Sequence, residues 1–282
     1  MITRELESFG DGASATRLPE GVFELQCKRA LSKSKLPGLD YALNPYVGCA
    51  HGCIYCYAPF LLNRPRETWR GPVGARITMP HLLRSEVSGL TGTIGIGTVT
   101  DPYQPAEASL MLTRKCLEIV RGKGVRVSIH TKSQLVLRDL DILKRLHDPE
   151  VGVTLTTIDD DLARIFEPGA PRPADRLNAL EGLVHAGINT YVLIGPIIPS
   201  VTDSGVDKFA AAISRTGVKR AMLDRLRLRP GMVEHLRRAE GMRTPAGIRF
   251  LECVSDQGYC RSAERQLAKA LRERGIAVES AF

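Results

Sequence analysis

The sequence predicts an α/β protein built as a partial (β/α)6 barrel of the TIM type, with a small C-terminal helical cap. Apolar runs recur along the chain with a helical or turn-bounded segment between each pair, and the repeat has roughly the length of one strand–helix–strand unit. The 282 residues, 43% of them hydrophobic, suffice for one large α/β domain. An open doubly wound sheet is less favoured, because no G-x-G-x-x-G motif opens a helix after a first strand.

Six strands are predicted. A lead-in strand lies near Leu43, and each later strand is an apolar or alternating run followed by a helix or a turn. The later runs are 94–99, 125–130, 151–156, 188–194 and 221–228. Six strand–helix units are fewer than a closed TIM barrel contains, so the predicted barrel is incomplete.

The segments between the strands have helical periodicity. A short helix is predicted over 81–87, and the glycines at 122, 124 and 187 are placed to end two longer helices. Two sets of side chains each share a helical face: Leu110, Thr113, Leu117 and Val120, and then Val136, Leu140, Leu143 and His147. Strands that alternate with helices predict a parallel sheet.

Three regions are predicted. Residues 1–43 form an N-terminal arm, residues 44–230 form the barrel core, and residues 231–282 form the cap. In the cap, 232–239 and 262–274 have helical composition, and 250–254 is a candidate for an extra strand.

Cysteine usage and the N-terminus favour a cytoplasmic protein. The segment from Met1 to Glu7 has mixed charge and lacks the apolar centre of a signal peptide, and no apolar run is long enough to span a bilayer, so no membrane partner is expected. An odd number of cysteines with one tight group is typical of a reducing compartment. The seven are Cys27, Cys49, Cys53, Cys56, Cys116, Cys253 and Cys260.

The chain is basic. Its 39 Lys and Arg against 31 Asp and Glu give a formal net charge of +8. A positive surface can attract a polyanion such as nucleic acid, but basic residues on solvated helix faces give the same total. Charge alone therefore leaves both interpretations open.

The densest chemical motif is Cys49-x3-Cys53-x2-Cys56, set among glycines and aromatic residues. Three thiolates can face one centre, but the motif supplies no fourth. A structural zinc needs four ligands, whereas a cubane iron–sulfur cluster held by three cysteines leaves one iron open. The alternatives are a zinc knuckle with His51 as fourth ligand, or three buried structural cysteines.

The stretch NPYVGCAHGCIYCYAP, with Tyr55 before the last cysteine, resembles the cluster loop of radical S-adenosylmethionine (SAM) enzymes of the spore-photoproduct-lyase-like branch. A second phrase, TVTDPYQPAE, resembles the phrase at the same place in that branch. The resemblance implies a [4Fe-4S] cluster whose open iron binds SAM, and reductive cleavage to a 5′-deoxyadenosyl radical. It also implies a partial-barrel core and a reductant such as ferredoxin or flavodoxin.

Polar residues follow the predicted strands, and in a parallel barrel such ends form the active-site mouth. Asp101 or the hydroxyl of Thr100 is predicted to accept a hydrogen bond from the SAM ammonium group, and Asp101 is also a candidate catalytic residue. By resemblance, Lys132 is predicted to pair with the SAM carboxylate. Glu107 is interpreted as a first-turn residue of a helix.

Further candidates follow the fourth and fifth strands. Thr156 or Thr157 is predicted to bind the ribose hydroxyls or the SAM carboxylate, while the aspartates after them suit a helix N-terminus. Ile197 is predicted to pack on adenine, with a plain barrel-top turn as the alternative.

By resemblance, Tyr55 lies near adenine, and Tyr55 or catalytic Tyr57 takes part in hydrogen-atom return. Glu167, Arg172 and Arg176 also belong to a stretch that resembles the family, without an assigned role.

One feature departs from the branch. The spore photoproduct lyases carry a hydrogen-donating cysteine in the segment before the aspartate, where this chain has Thr98-Val99-Thr100. Cys253 or Cys260 is either a substitute donor or a core thiol.

Three functions remain open. The chain is a radical SAM enzyme acting on a nucleic acid or nucleotide, a radical SAM enzyme modifying a peptide, protein or small metabolite, or a non-enzymatic zinc- or SAM-binding module.

Overall fold

Eleven strands form two sheets in residues 18–281, which are the residues that the computed structural model describes. In chain order they are β1 (Val22–Glu24), β2 (Leu31–Lys33), β3 (Tyr41–Leu43), β4 (Tyr46–Val47), β5 (Val73–Ala75), β6 (Thr93–Ile96), β7 (Arg126–Thr131), β8 (His147–Thr154), β9 (Asn189–Ile197), β10 (Arg220–Arg225) and β11 (Ala277–Ser280). The predictions for Met1 to Glu7 and for the start of the arm lie outside the described residues.

The main sheet has eight strands in the order β11-β10-β9-β8-β7-β6-β3-β2. Every neighbouring pair is parallel except β2 and β3, which are antiparallel. The six predicted strands are β3 and β6 to β10, so the α/β class with a parallel sheet is confirmed. Within the described residues the sheet is open, because its edge strands β2 and β11 do not pair with each other.

A smaller sheet of three strands, in the order β1-β5-β4, lies in the N-terminal part of the described chain. Its strand β4 leads directly into the cysteine motif. The central parts of β7, β8 and β9 are buried, as is typical of parallel sheets with helices on the faces. Val151 and Val153 on β8, for example, are fully buried.

Eleven α-helices connect the strands within the described residues. They are α1 (Ala58–Leu61), α2 (Met79–Glu86), α3 (Glu107–Leu110), α4 (Leu112–Val120), α5 (Leu140–Leu143), α6 (Asp160–Phe166), α7 (Pro173–His185), α8 (Val206–Arg215), α9 (Met232–Arg238), α10 (Pro245–Cys253) and α11 (Gln257–Arg272). None of these helices combines the length and the apolar character that spanning a bilayer requires.

Local sequence explains several helix ends. Asp159 caps α6, since its carboxylate accepts hydrogen bonds from the backbone N–H groups of Asp161 (2.8 Å) and Leu162 (3.0 Å). The predicted role of these aspartates at a helix N-terminus is therefore confirmed. Gly122 and Gly187, which follow α4 and α7, both adopt φ of +75°, as helix-ending glycines do.

Two predictions about elements are wrong. Residues 250–254 are not a strand, since α10 covers them up to Cys253. Thr244 caps this helix and Pro245 occupies its first turn, which are both helix-start signals. His147 does not share a helical face with Leu143, because α5 ends at Leu143 and His147 begins β8, where it is exposed.

Strands from the predicted arm and cap join the main sheet. β2 and β3 precede residue 44, and β11 follows residue 230 and pairs with β10 in register, Ala221 opposite Val278. The division of the chain into arm, core and cap stays a prediction.

Candidate active site at the cysteine loop

Residues 48–57, between β4 and α1, carry the three clustered cysteines and are called the cysteine loop. The backbone N–H of Cys49 donates to the carbonyl of Trp69 (2.9 Å), and that of Cys56 donates to the carbonyl of Cys53 (3.1 Å). Gly52 has φ of +59°, and a Cβ there would lie 2.7 Å from a side-chain carbon of Arg70. The left-handed φ and this close approach both favour glycine at the turn.

Arg66 holds the loop from outside. Its guanidinium donates to the carbonyl of Cys56 (2.7 Å) and to that of Cys53. Arg66 starts a 3₁₀ helix and was not a predicted site residue; no sequence motif relates it to these carbonyls. The loop conformation is thus fixed by hydrogen bonds to its backbone, which leaves the thiols free for another role.

The three thiols lie close to one another and are largely buried. Cys49 and Cys53 are each 9% exposed, and Cys56 is half-buried. Burial, the nearby Asp101 carboxylate and the other two cysteines raise the pKa of Cys49, and burial is the main reason that the pKa of Cys53 rises to about 12. Thiolates in this site therefore require a compensating positive charge, such as a metal centre provides.

Asp101 connects the ends of two strands to the cysteine loop. Its carboxylate accepts hydrogen bonds from the Thr131 hydroxyl (2.7 Å), the Lys132 backbone N–H (2.7 Å) and the Tyr103 backbone N–H (2.9 Å). Its Oδ2 also lies 3.5 Å from Nδ1 of buried His51. Asp101 thus holds the ends of β6 and β7 against the loop.

Glu167, which follows α6, joins three other polar side chains beside Cys53. Its Oε1 accepts a hydrogen bond from the Tyr55 hydroxyl and lies 3.7 Å from Nζ of Lys132, and its Oε2 lies 2.5 Å from Nη1 of Arg176. The Arg176 and Glu167 side chains are fully buried. Burial opposes ionisation of Glu167, but Arg176 and Lys132 outweigh it and lower its pKa to about 2.

Lys132 is held over an aromatic ring. Its Nζ lies 5.9 Å from the centroid of the Tyr55 ring, and its side chain is 14% exposed. Burial lowers the pKa of Lys132, but Cys53 and Glu167 outweigh burial and the net pKa is raised. The ammonium group therefore stays charged beside the cysteine loop.

Tyr57 and Thr100 donate hydrogen bonds to backbone carbonyls near the cysteine loop. The Tyr57 hydroxyl donates to the carbonyl of Thr98 (2.8 Å), and the Tyr57 side chain is 40% exposed. The buried Thr100 hydroxyl donates to the carbonyl of Tyr46 (3.3 Å). Asn44, which was not predicted, donates to the Thr98 hydroxyl (3.0 Å) and so positions the same segment.

The remaining predicted residues lie at the ends of β8 and β9. Thr156 is fully buried, and its hydroxyl has no hydrogen-bond partner among the described residues. The Thr157 hydroxyl accepts from the backbone N–H of Asp159 (3.1 Å), which makes it part of the turn. Ile197 is buried in the main core, whereas its neighbour Ile198 packs in one apolar cluster with Cys53 and Tyr55. The predicted SAM contacts of Thr156, Thr157 and Ile197 stay predictions.

The arginines at the end of β10 and just after it lie on the solvent side. Arg225, Arg227 and Arg229 are all exposed, and Arg225 pairs with Glu264 of α11. Cys253, at the end of α10, and Cys260, in α11, are half-buried, and the Cys260 thiol lies 4.0 Å from the Cys253 carbonyl oxygen.

The donor set fits a cubane cluster. Within residues 18–281, no three or more His, Cys, Asp or Glu side chains are arranged to hold one metal ion. A cubane takes each thiolate on a different iron, so its three cysteines need not converge on one point. His51 is directed at Asp101, and the loop supplies three thiols at one buried place.

Comparison with known proteins agrees with this geometry. The model of the radical SAM superfamily matches residues 43–213. An uncharacterized protein of Methanocaldococcus jannaschii is 35% identical over 183 residues, which are 64% of this chain and 70% of that protein. An uncharacterized protein of Mycobacterium tuberculosis is 32% identical over 222 residues, 73% of this chain and 65% of that protein.

A similar solved structure shows the same fold. A double mutant of spore photoproduct lyase with bound AdoMet and dinucleoside spore photoproduct superposes with a TM-score of 0.64 at 13% identity, covering 93% of this chain and 82% of that one. The family match includes the cysteine loop and the ends of β6 and β7 that it contacts. The chain therefore belongs to the radical SAM superfamily and is a radical SAM enzyme.

Proposed function

We propose that this enzyme holds a [4Fe-4S] cluster on Cys49, Cys53 and Cys56 and binds SAM at the adjoining mouth of the sheet. The observation that carries the proposal is the set of three neighbouring thiols, two of them buried and one half-buried, on a loop whose backbone is separately fixed. When bound, the cluster and SAM supply an electron and a 5′-deoxyadenosyl radical that abstracts a hydrogen atom from the substrate.

The chain's own side chains position these groups. The Lys132 ammonium is a point charge suited to the SAM carboxylate, and the unpartnered Thr156 hydroxyl is a buried group suited to a polar ligand atom. Tyr55 presents an aromatic ring beside Cys53 for the adenine side of the site. The Asp101 carboxylate already accepts hydrogen bonds from three donors of its own chain. Its contribution to SAM binding is therefore indirect, because it fixes the position of the segments to which it is bonded.

We further propose a nucleic acid or nucleotide as the substrate. The basic balance of the chain and the exposed arginines at the end of β10 and just after it suit phosphate contacts, and the similar lyase structure binds a dinucleoside. The segment Thr98-Val99-Thr100 supports the alternative, a peptide, protein or small metabolite, because it lacks the thiol expected for thymine-dimer repair. Binding of DNA or RNA that weakens steeply with salt is expected for the first; binding that ignores salt favours the second.

Replacement of one cysteine tests the cluster. After anaerobic reconstitution the wild type should hold about four irons and four sulfides per chain and form 5′-deoxyadenosine from SAM under dithionite. Cys53→Ala should lose both, because one corner of the cluster has no ligand. Cys260→Ser, at a half-buried position of α11, is the matched control and should keep both. One zinc per chain in the wild type, or undiminished 5′-deoxyadenosine in Cys53→Ala, contradicts the proposal.

A further inference from the structure

Residues 166–169, called the clamp segment, run along the cysteine loop immediately after α6. The Phe166 carbonyl accepts a hydrogen bond from the Ile54 backbone N–H (3.0 Å), and the Gly169 backbone N–H donates to the His51 carbonyl (2.9 Å). A Cβ at Gly169 would lie less than 3.0 Å from the Ala50 carbonyl oxygen. The clamp segment and the cysteine loop are therefore in direct backbone contact on both sides of Glu167.

Between these two hydrogen bonds, the Glu167 side chain enters the site. One carboxylate oxygen faces both the Tyr55 hydroxyl and the Lys132 ammonium group, and the other faces Arg176. The Arg176 Nε donates to the Pro171 carbonyl (2.9 Å), which fixes the guanidinium from the far side. A single carboxylate thus restrains two side chains that the proposed function assigns to the SAM site.

Two positively charged side chains but one negatively charged side chain meet beside Cys53. Lys132 and Arg176 are cations and Glu167 is the only anion in direct contact with both of them among the described residues. A buried carboxylate that neutralises part of this positive charge makes extra electron density on the nearby sulfurs less favourable. Charge and hydrogen bonding around metal ligands are the protein's means of tuning a metal centre.

We propose that Glu167 is a positioning residue of the SAM site: it fixes the Tyr55 ring and the Lys132 ammonium group, and its negative charge lowers the reduction potential at the cysteine loop. This inference rests on the proposed function. It assigns a role to the Glu167 and Arg176 stretch that sequence resemblance left without one.

Substitution of Glu167 tests both effects on reconstituted full-length enzyme. In Glu167→Gln the side chain keeps its size but loses its charge, so the dissociation constant of SAM should rise about 10- to 100-fold and the midpoint potential should become more positive. SAM binding is measured by calorimetry on the oxidised enzyme and the potential by an EPR-monitored redox titration, both per bound cluster. Glu181→Gln, on an exposed position of α7, is the matched control and should change neither.

Two further variants separate position from charge. Glu167→Asp keeps the negative charge but is one methylene shorter, so it should weaken SAM binding while the potential stays near that of the wild type. Tyr55→Phe removes only the hydroxyl that donates to Glu167 and should also weaken SAM binding. Because Tyr55→Phe leaves every buried charge paired, it provides the decisive measurement if Glu167→Gln does not fold.

The outcomes are distinguishable. A wild type that binds cluster and SAM, with Glu167→Gln matching it in dissociation constant and potential while only the thermal midpoint falls, overturns this inference alone. If Glu167→Gln does not fold, wild-type SAM affinity in Tyr55→Phe overturns it. A wild type that binds no cluster overturns the proposed function, and this inference with it.

Discussion

At the scale of single residues, Gly169 marks the closest approach of two backbone segments at the site. A Cβ there would meet the Ala50 carbonyl oxygen, which is backbone and cannot rotate away. In Gly169→Ala the clamp segment or the cysteine loop must shift, at a cost of about 1–3 kcal/mol in the free energy of unfolding. Iron bound per chain after reconstitution should fall as well, because the shifted loop carries Cys49 and Cys53.

The control for this substitution is Gly205→Ala. A Cβ at Gly205 meets nothing within 4 Å, and its φ of −164° is extended backbone that any residue adopts. Chemical unfolding and iron analysis of both variants measure the difference. Equal iron content and equal stability in the two variants would show that the close approach has no consequence.

The cysteine motif and the phrase around Asp101 could be identified from sequence, because their residues are close together in the chain. The residues that contact these motifs in the folded protein could not be identified from sequence. The Tyr55 hydroxyl and Glu167 are 112 positions apart, and only the packing of α6 against the cysteine loop brings them together. Even within a recognised motif, the sequence did not indicate the role of every residue. Gln104 accepts a hydrogen bond from the Ala50 N–H (3.0 Å) and donates one to the Gly48 carbonyl (3.2 Å), so it holds the backbone of the cysteine loop.

Glu107 also makes contacts that could not be predicted from the sequence. The sequence interpretation placed it in the first turn of a helix, and it does begin α3. Its buried carboxylate, however, accepts from the backbone N–H groups of Thr113 (2.9 Å) and Arg114 (3.2 Å), in the first turn of α4. It therefore stabilises the next helix, which no local pattern indicates.

At the scale of secondary-structure elements, β7 carries a histidine that responds to pH. The His130 ring packs edge-on against Tyr191 of β9, with ring centroids 5.9 Å apart. Burial lowers the pKa of His130 from 6.5 to about 4, although Glu150 of β8 opposes the shift. Arg220 of β10 pairs with Glu150 (2.7 Å) and lies over the Tyr191 ring, so these neighbouring charges largely offset each other.

The lowered pKa fixes the sign of the pH dependence. Above pH 6.5, His130 is neutral in both the folded and the unfolded chain and contributes no difference. Between pH 6.5 and 4 the unfolded chain binds a proton that the folded chain does not, so stability falls as pH falls, by at most about 3 kcal/mol.

Replacement of His130 by Gln should therefore flatten the pH dependence of the free energy of unfolding in this window. Urea unfolding at several pH values measures the slope for the wild type and the variant. His147→Gln, at the exposed start of β8, should keep the wild-type slope. A His130→Gln slope parallel to that of the wild type would show that this imidazole is not held neutral.

The prediction of elements succeeded where periodicity was long and failed where the run was short. The strand positions 125–130 and 188–194 fall within one residue of the starts of β7 and β9, since both are buried on two faces. The run 250–254 has too few residues to separate a strand from a buried helix segment by its apolar pattern. Its helix-start signals, Thr244 and Pro245, lie outside the run and identify α10.

At the scale of the whole molecule, α10 packs against the cysteine loop through one apolar cluster. Cys53, Tyr55 and Phe166 share this cluster with Phe250 of α10. The rings of Phe166 and Phe250 meet edge to face, with centroids 5.2 Å apart and planes at 81°. Since the Phe166 carbonyl also accepts from the Ile54 backbone N–H, contacts run without interruption from α10 to the backbone of the cysteine loop.

Removal of the Phe250 ring should weaken the contacts between α10 and Phe166. Phe250 is fully buried, so Phe250→Ala should lower the free energy of unfolding by about 3–5 kcal/mol through lost contacts and a cavity. The cavity lies next to Phe166, so the clamp segment should loosen and bleaching of the reconstituted cluster in air should accelerate. Phe23→Ala, where the side chain is 43% exposed, should change neither quantity appreciably. A Phe250→Ala protein that loses stability yet bleaches at the wild-type rate would show that α10 stabilises the fold without shielding the cysteine loop.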